Sequence, residues 1–115
     1  MSNQTAHATK LEQLPEAARD RIQQLRLLFI ERSMEQLAQI RHLLDERAGA
    51  EDPRTMDADL IKLAHSMVGA SGIFGFPGIG NAAFKLENIL REAGYSEADF
   101  EQAADELIAE LTMLG

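Results

Sequence analysis

The segment LAHSMVGASGIFGFPGIG, residues 63–80, places one histidine and five glycines within a chain that otherwise has a helical pattern. Two folds could explain this composition. The glycines could form a phosphate-binding loop, which would place the segment in a βαβ unit. Alternatively, they could interrupt one helix and remove side-chain bulk from one of its faces, which would place the segment in a helical protein. The surrounding sequence decides between these folds.

The loop interpretation depends on Gly78-Ile79-Gly80-Asn81-Ala82-Ala83, which matches the pattern G-x-G-x-x-A. That pattern binds dinucleotides only where it follows a β-strand and begins the helix of a βαβ unit. Here it follows a helical pattern, and no later strand is predicted. A Walker loop would require Gly-Lys followed by Ser or Thr, which the chain lacks. We therefore interpret Gly75, Gly78 and Gly80 as turning the chain from one helix into the next.

Apolar residues recur every three or four positions along four segments, which is typical of amphipathic helices. The first segment carries Ile22, Leu25, Phe29, Leu37, Ile40 and Leu44, with one double step past Ser33. The second carries Met56, Leu60, Leu63, Met67 and Phe74, the third Ile79, Ala83, Leu86, Leu90 and Ala93, and the fourth Phe100, Ala104, Leu107, Leu111 and Leu114. No segment alternates apolar and polar residues as a half-buried strand does.

Residues that favour helix ends lie between these segments. Pro15 suits the first turn of the first helix, and Gly49 is predicted to end that helix in a left-handed conformation. Asp52-Pro53 offers an N-cap and first-turn proline for the second helix. Gly94 is predicted to end the third helix, and Ser96 with Asp99 resembles a capping box at the start of the fourth.

The sequence therefore predicts an all-α antiparallel four-helix bundle with a short extra N-terminal helix or tail. Residues 1–12 are polar and aperiodic, which predicts a flexible tail in which His7 has no role. Residues 13–115 are predicted to form one helical bundle domain. The pattern leaves open whether the first helix is continuous or broken near its start into a short and a long helix.

Composition excludes several classes of function. The 115-residue chain has no cysteine, which excludes disulfides, thiolate metal sites and a cysteine nucleophile. It has no apolar run of about 18–20 residues, as a membrane span requires, and its first residues do not resemble a signal peptide. We therefore expect a cytoplasmic protein that does not enter the membrane.

The net charge of −8 disfavours nucleic-acid binding, because no dense cluster of Lys and Arg is present to neutralise phosphates. Six arginines are spread among acids along the first helix, and we interpret all of them as its solvent-facing side. They are Arg19, Arg21, Arg26, Arg32, Arg41 and Arg47.

His65 is predicted to be exposed. On a helical wheel of about 100° per residue the apolar stripe of the second helix lies opposite His65. The residues that share the side of His65 are Ile61, Lys62, Val68, Gly69 and Gly72. Each glycine costs about 0.5–1 kcal/mol relative to alanine inside a helix. Two such glycines beside an exposed imidazole indicate that room is needed around it.

A docking surface with a nucleophile at its centre is the function that this face suggests. Ile61 and Val68 are predicted to add exposed apolar surface on either side of His65, as a docking patch would. A histidine side chain is partly neutral near pH 7, and a neutral imidazole nitrogen is a competent nucleophile. This face therefore suits acceptance of a phosphoryl group.

The segment Ala64-His65-Ser66-Met67-Val68-Gly69-Ala70-Ser71-Gly72, followed by Leu86-Glu87, resembles the histidine-containing phosphotransfer (HPt) domain family. That family's motif runs roughly A-H-x-L-K-G-x-x-x-x-x-G with a later L-E. The resemblance implies a four-helix bundle in which His65 carries a phosphoryl group to or from an aspartate of a response-regulator receiver domain. It also implies a sensor hybrid histidine kinase as a donor, Mg²⁺ in the receiver rather than in this chain, and no ATP site of its own. Ser66, Lys62 and the glycines would shape the rim of the site.

One position departs from the family pattern. The family usually has Lys or Arg three residues after the histidine to hold the charge of the phosphate, whereas this chain has Val68. Lys62 and then Lys85 are the candidate replacements. Two interpretations follow: an active carrier with an altered site, or a scaffold (pseudo-HPt) that docks receiver or kinase domains without carrying phosphate. Because His65 and Gly69 are both kept, we favour the active carrier.

A di-metal bundle is the enzymatic alternative, and it would require Glu-x-x-His pairs. Gln39 precedes His42 by three residues and Lys62 precedes His65 by three, so neither histidine has that partner. We therefore predict no metal site and a surface position for His42. Nothing in the sequence suggests an obligate dimer, so we expect a monomer.

Overall fold

Helix α1, Glu16–Gly49, is the longest element of the computed structural model, which describes residues 15–114. It is continuous over 34 residues, so a break near its start is not observed. Gly49 lies inside the helix, and Ala50 follows it with extended backbone, so the predicted left-handed glycine end was wrong. The predicted tail, residues 1–12 with His7, lies outside the described residues.

Three shorter helices complete the bundle. A 3₁₀ helix, Pro53–Met56, leads into α2, Asp57–Phe74, which is followed by α3, Pro77–Arg91, and α4, Glu97–Thr112. No strand is present between residues 15 and 114. The all-α four-helix bundle is therefore confirmed. None of the helices in this range is long and apolar enough to cross a membrane.

The predicted helix starts are confirmed more closely than the ends. The Ser96 hydroxyl accepts from the backbone N–H of Asp99 at 3.1 Å, as predicted for the start of α4. The Asp52 carboxylate accepts from that of Arg54 at 3.1 Å, but it caps the 3₁₀ helix and not α2, which begins at Asp57. Pro15 precedes the first turn of α1 rather than lying in it. Helix α3 ends at Arg91, three residues before the predicted end at Gly94, although Gly94 does adopt a positive φ of 74°.

The hydrophobic core contains most residues of the predicted stripes and begins on α1 at Phe29. Ile22, Leu25 and Ala93 were predicted in these stripes but lie outside the core. Its most completely buried large side chains are Ile40, Leu60, Met67, Leu86, Leu107 and Leu111. Ser33 is also buried, which explains the double step in the first stripe. No residue of α1 before Phe29 belongs to this core, although the Arg26 guanidinium lies 5.4 Å from the ring centre of Phe76. The described part of the molecule measures 61 × 24 × 20 Å.

Arg47 links α1 to α4 at one end of the bundle. The prediction that it faces solvent was wrong. It is only 6% exposed. Its guanidinium donates to both carboxylate oxygens of Glu97 at 2.7 and 2.8 Å and to the Tyr95 hydroxyl at 2.8 Å. The same group lies 3.9 Å above the ring centre of Phe100. Arg47 thus connects the last turn of α1 to the start of α4 by a planar, two-pronged ion pair, for which arginine is suited.

The Arg47 cluster also reaches the start of α2. The Tyr95 hydroxyl donates to Asp57 at 2.7 Å, and Arg54 donates to the Tyr95 carbonyl at 3.0 Å while lying over its ring. The hydrogen bond from Arg47 lowers the pKa of Glu97 below its ordinary value, against the opposing effect of burial. Burial and the hydrogen bond to Asp57 raise the pKa of Tyr95. This end of the bundle is therefore held by charge and hydrogen bonds as well as by apolar packing.

The glycines after α2 have separate roles, which corrects the prediction that three of them turn the chain. Gly75 alone turns it, with φ of 80° at the end of α2. Gly78 and Gly80 lie in the first turns of α3. A Cβ on Gly80 would lie 2.6 Å from the buried Ser71 hydroxyl, so Gly80 permits α2 and α3 to approach closely.

Replacing Gly80 by alanine should lower the free energy of unfolding by about 1–2 kcal/mol. The added methyl would displace the Ser71 hydroxyl, which has a hydrogen bond to the Val68 carbonyl at 3.2 Å and is fully buried. Urea unfolding measures the change. The double variant Ser71→Ala/Gly80→Ala should recover most of the loss, because it removes the atom that clashes. Equal losses in the single and double variants would contradict the close-approach explanation.

Candidate functional site

His65 lies at the middle of α2 with its side chain directed away from the core. Its neighbours Ala64 and Met67 are each only 1% exposed, so the packing of α2 fixes which way His65 points. The imidazole is 72% exposed. The predicted exposure of His65 is therefore confirmed, and its ring can be reached from outside.

Glu87 of α3 holds one nitrogen of that ring. Its carboxylate oxygens lie 3.0 and 3.2 Å from His65 Nδ1. The Glu87 side chain is only 9% exposed, in contrast to the imidazole it contacts. Glu87 reaches His65 because it lies beside Leu86, a buried residue that packs α3 into the core.

Arg91 contacts the same carboxylate one helical turn later. Its Nε and one terminal nitrogen lie 3.0 and 2.9 Å from Glu87 Oε2. Burial alone would raise the pKa of Glu87, but the hydrogen bonds from Arg91 and His65 outweigh burial and lower it below the ordinary value. Glu87 is therefore ionised near neutral pH and accepts a hydrogen bond. In the neutral form of the ring, Nδ1 is therefore the nitrogen that donates to Glu87, and Nε2 is the nitrogen with the free lone pair.

The helix surface beyond His65 is open. A Cβ on Gly69 or Gly72 would meet nothing within 4 Å, which agrees with the prediction that these glycines leave room beside the histidine. Ile61 and Val68 differ from their predicted exposure, because both are half-buried and pack against the core. They border the site rather than project from it. Val68 is half-buried because the core packing around α2 extends to its side of the helix.

Ser66 connects the site to α1. Its hydroxyl donates to the Leu63 carbonyl at 2.8 Å and accepts from the buried Gln36 amide at 3.0 Å. A groove lined by Gln36, Ser66 and Lys62 runs beside this contact. Helix α1 therefore supports the surface next to His65.

The two lysines proposed to support a phosphate have different positions. Lys62 is exposed one turn before His65, and no ion pair involves it among residues 15–114. Lys85 pairs with Glu106 of α4 at 3.0 Å. Lys85 precedes Glu87 by two residues, about 200° around α3, so it lies on the side of α3 away from His65. We therefore do not retain Lys85 as a support for charge at His65.

No group of three potential metal-ligating side chains is found within residues 15–114. His42 is 73% exposed, as predicted, and contacts Glu46 on the same helix face. The chemistry that the described site offers is that of one oriented imidazole.

The contacts of Glu87 with His65 and Arg91 are not among the features predicted from the sequence, in which Glu87 is only the acid of the Leu86-Glu87 pair. One signal was available: Glu87 is an acid beside Leu86 and Leu90 in an apolar helical stripe, and a buried acid usually has a partner. Which residue of α2 serves as that partner depends on how the two helices pack.

Comparison with known proteins agrees with this geometry. The family model described as Hpt domain matches residues 24–115, a range that includes His65 and Glu87. No curated protein and no solved structure matches the chain.

Proposed function

Since the chain belongs to the Hpt domain family, whose members carry phosphoryl groups on histidine in phosphorelays, we propose that His65 is the residue phosphorylated here. The proposed reaction exchanges a phosphoryl group between His65 Nε2 and an aspartate of a response-regulator receiver domain. The observation that carries the proposal is the hydrogen bond between His65 Nδ1 and ionised Glu87, at 3.0 Å, on an otherwise exposed imidazole.

In this reaction the chain has only to position His65 and orient its ring. The lone pair of Nε2 attacks the phosphorus of an aspartyl phosphate, the phosphorus–oxygen bond breaks, and the receiver recovers its carboxylate. The reverse reaction returns the group. Catalysis of phosphoryl transfer rests on in-line positioning and on neutralising charge. Mg²⁺ would be supplied by the receiver, and the chain acts as a carrier without an ATP site of its own.

The proposed docking surface surrounds His65 and consists of Ile61, Ser66, Val68, Gly69 and Gly72. Its open glycines would allow a receiver to bring its aspartate within reach of Nε2, and Lys62 would lie at its edge. A sensor hybrid histidine kinase is the proposed source of the phosphoryl group. We place the relay in the cytoplasm, with the carrier acting as a monomer.

Incubation with a ³²P-labelled receiver domain tests this function. Wild-type protein should take up label that is lost in acid and retained in base, as expected of a phosphorus–nitrogen bond on histidine. The alternative is a scaffold that docks receivers without carrying phosphate, and Val68 in place of a cation is the feature that favours it. Binding of receivers without any transfer of label from the cognate donors would establish the scaffold and overturn the carrier.

Replacing Gly69 by alanine should affect stability and transfer in opposite directions. The added methyl meets nothing within the chain, so it should stabilise α2 by about 0.5–1 kcal/mol. On the docking surface the same methyl should slow transfer from a receiver by about tenfold, equivalent to about 1.4 kcal/mol of lost binding. Thermal unfolding and initial transfer rates measure the two effects. Unchanged transfer rates would exclude Gly69 from the contact surface.

A further inference from the structure

A groove of about 330 Å³ runs between α1 and α4, at the end of the bundle where Arg47 lies. Phe100 and Ala104 of α4 form its floor, since both line the groove and each is only 2% exposed. Its volume is at the lower end of the range for sites that hold small ligands, about 300–1,000 Å³, so it can admit side chains of a partner but not its backbone. The remaining apolar lining residues are Leu44, Ala48 and Pro53.

The charge of this groove is negative. Its charged lining residues are one cation and three carboxylates, and the cation, Arg47, is already paired with Glu97. The other two carboxylates, Glu101 and Asp105, are exposed, and within residues 15–114 neither forms an ion pair, with Arg41 of α1 or with any other cation. Helix α4 has six acidic residues and no basic residue that could offset them. The groove therefore combines an apolar floor with an acidic rim.

The groove lies on a different side of the bundle from His65. Helix α4 packs against α3 and α1, and no contact between α4 and α2 is found in the described range 15–114. His65 projects outward from α2, and none of the residues that line the groove belongs to α2. A molecule bound in the groove would therefore leave the imidazole and its open glycine surface accessible.

The chemistry of the groove restricts what it can bind. Glu101 and Asp105 would repel a phosphate or another anion, and a wholly apolar group would remove these carboxylates from water without giving them a partner. A lysine or arginine side chain satisfies both conditions, because its stem packs on apolar surface while its charged end stays at the rim. The two carboxylates are four residues apart on one helix, which places their Cβ atoms about 6 Å apart. Two cations with the same spacing on a second helix would match them.

We infer that this groove is a docking site for a basic amphipathic helix of a partner protein. Apolar side chains of that helix pack on the floor of the groove, and lysines or arginines one turn apart pair with Glu101 and Asp105. Recognition of a helix in a groove uses anchor side chains three or four residues apart in this way. The inference goes beyond the proposed function and does not depend on it, because His65 takes no part in the contact.

A synthetic amphipathic helix of leucine and lysine is the probe, about 15 residues long so that it can be helical. Its affinity for the full chain is measured by fluorescence anisotropy at about 0.1 M and about 1 M salt. At the lower salt, Glu101→Gln/Asp105→Asn should bind it about fivefold to tenfold more weakly than wild type, because two surface ion pairs are lost. At the higher salt the two proteins should bind with similar affinity, since salt screens exposed charges.

Glu31→Gln/Glu35→Gln is the matched control. It removes the same charge from two exposed glutamates that are also four residues apart, but that lie on α1 outside the groove. This variant and His65→Gln should both bind the peptide within about twofold of wild type. Because the measurement uses no receiver and no phosphate, a failure of the relay function would leave this result standing.

A second peptide tests the apolar floor, and NMR locates the contact. Replacing the leucines by glutamine keeps the charge of the peptide and should weaken binding by about tenfold or more, because the apolar contact is lost. In ¹H–¹⁵N spectra the leucine–lysine peptide should shift the amide signals of residues 44–48 and 97–105 and leave those of residues 61–72 in place. Absence of binding, equal weakening by the two double variants, equal binding of the glutamine peptide, or shifts confined to residues 61–72 would each overturn the inference.

Discussion

Replacing His65 by glutamine is expected to abolish uptake of a phosphoryl group completely while leaving the fold intact. The side chain is 72% exposed, and its only hydrogen-bonded partner among residues 15–114 is Glu87. Glutamine can keep a donor for that carboxylate but has no nucleophilic ring nitrogen. Transfer of ³²P from a phosphorylated receiver measures the loss, and circular dichroism verifies that the variant is folded.

His42→Gln is a closely matched control for that experiment. His42 is 73% exposed, lies on a helix surface and also contacts a glutamate, Glu46. It differs from His65 in that its partner is on the same helix, four residues away, and in that a glutamate occupies the position one turn after it where Gly69 follows His65. The His42 variant should therefore be labelled like wild type. If label persisted in His65→Gln and disappeared in His42→Gln, the phosphorylated residue would be His42 on α1, and the assignment to His65 would be wrong.

Replacing Arg47 by alanine should lower the free energy of unfolding by about 3 kcal/mol, more than the Gly80→Ala change described above. The change removes two hydrogen bonds to Glu97, one to Tyr95 and the stacking on Phe100. It also leaves Asp57, which lies 3.7 Å from Arg47 Nε, without its nearest cation. Urea unfolding at pH 7 measures the loss.

Arg41→Ala controls for the removal of an arginine from α1 and should change stability by less than about 0.5 kcal/mol, since Arg41 is exposed. Acid provides a second readout. Because the pKa of Glu97 is lowered in the folded protein, its contribution to stability is complete above the ordinary value of 4.5 and is lost as the pH falls below that value. Wild type should therefore lose more stability than Arg47→Ala between pH 5 and pH 3. If the free energy of unfolding fell equally with pH in the two proteins, the Arg47–Glu97 ion pair would not contribute to stability as proposed.

The sequence predicted the features that depend on one helix at a time. The exposure of His65 and the open surface at Gly69 follow from helical spacing within α2, and both agree with the structure. The caps at Asp52 and Ser96 are also local, since each involves residues two or three positions apart. Such features need no knowledge of how helices pack against one another.

What the sequence could not predict depends on contacts between helices. Arg47 resembles the other arginines of α1 until Glu97, fifty residues later, is placed beside it. Gly80 resembles a turn residue until Ser71 lies against it. Glu87 and His65 are separated by 22 residues and meet only because α2 and α3 pack together. In each case two helical wheels are known, but the rotation of one against the other is not.

The position of His65 in the middle of α2 has a consequence for how a signal could leave this protein. Its neighbours on either side of the ring's attachment, Ala64 and Ser66, are fixed by the core and by α1, and Glu87 lies inside the continuous helix α3. Within residues 15–114, the side chain that contacts the ring lies inside a helix and not in a loop or hinge, so modification has no directly contacting loop to rearrange. Under the proposed function, information passes as a covalent bond and not as a change of shape. A partner would distinguish the two states of this carrier only by touching the phosphoryl group itself.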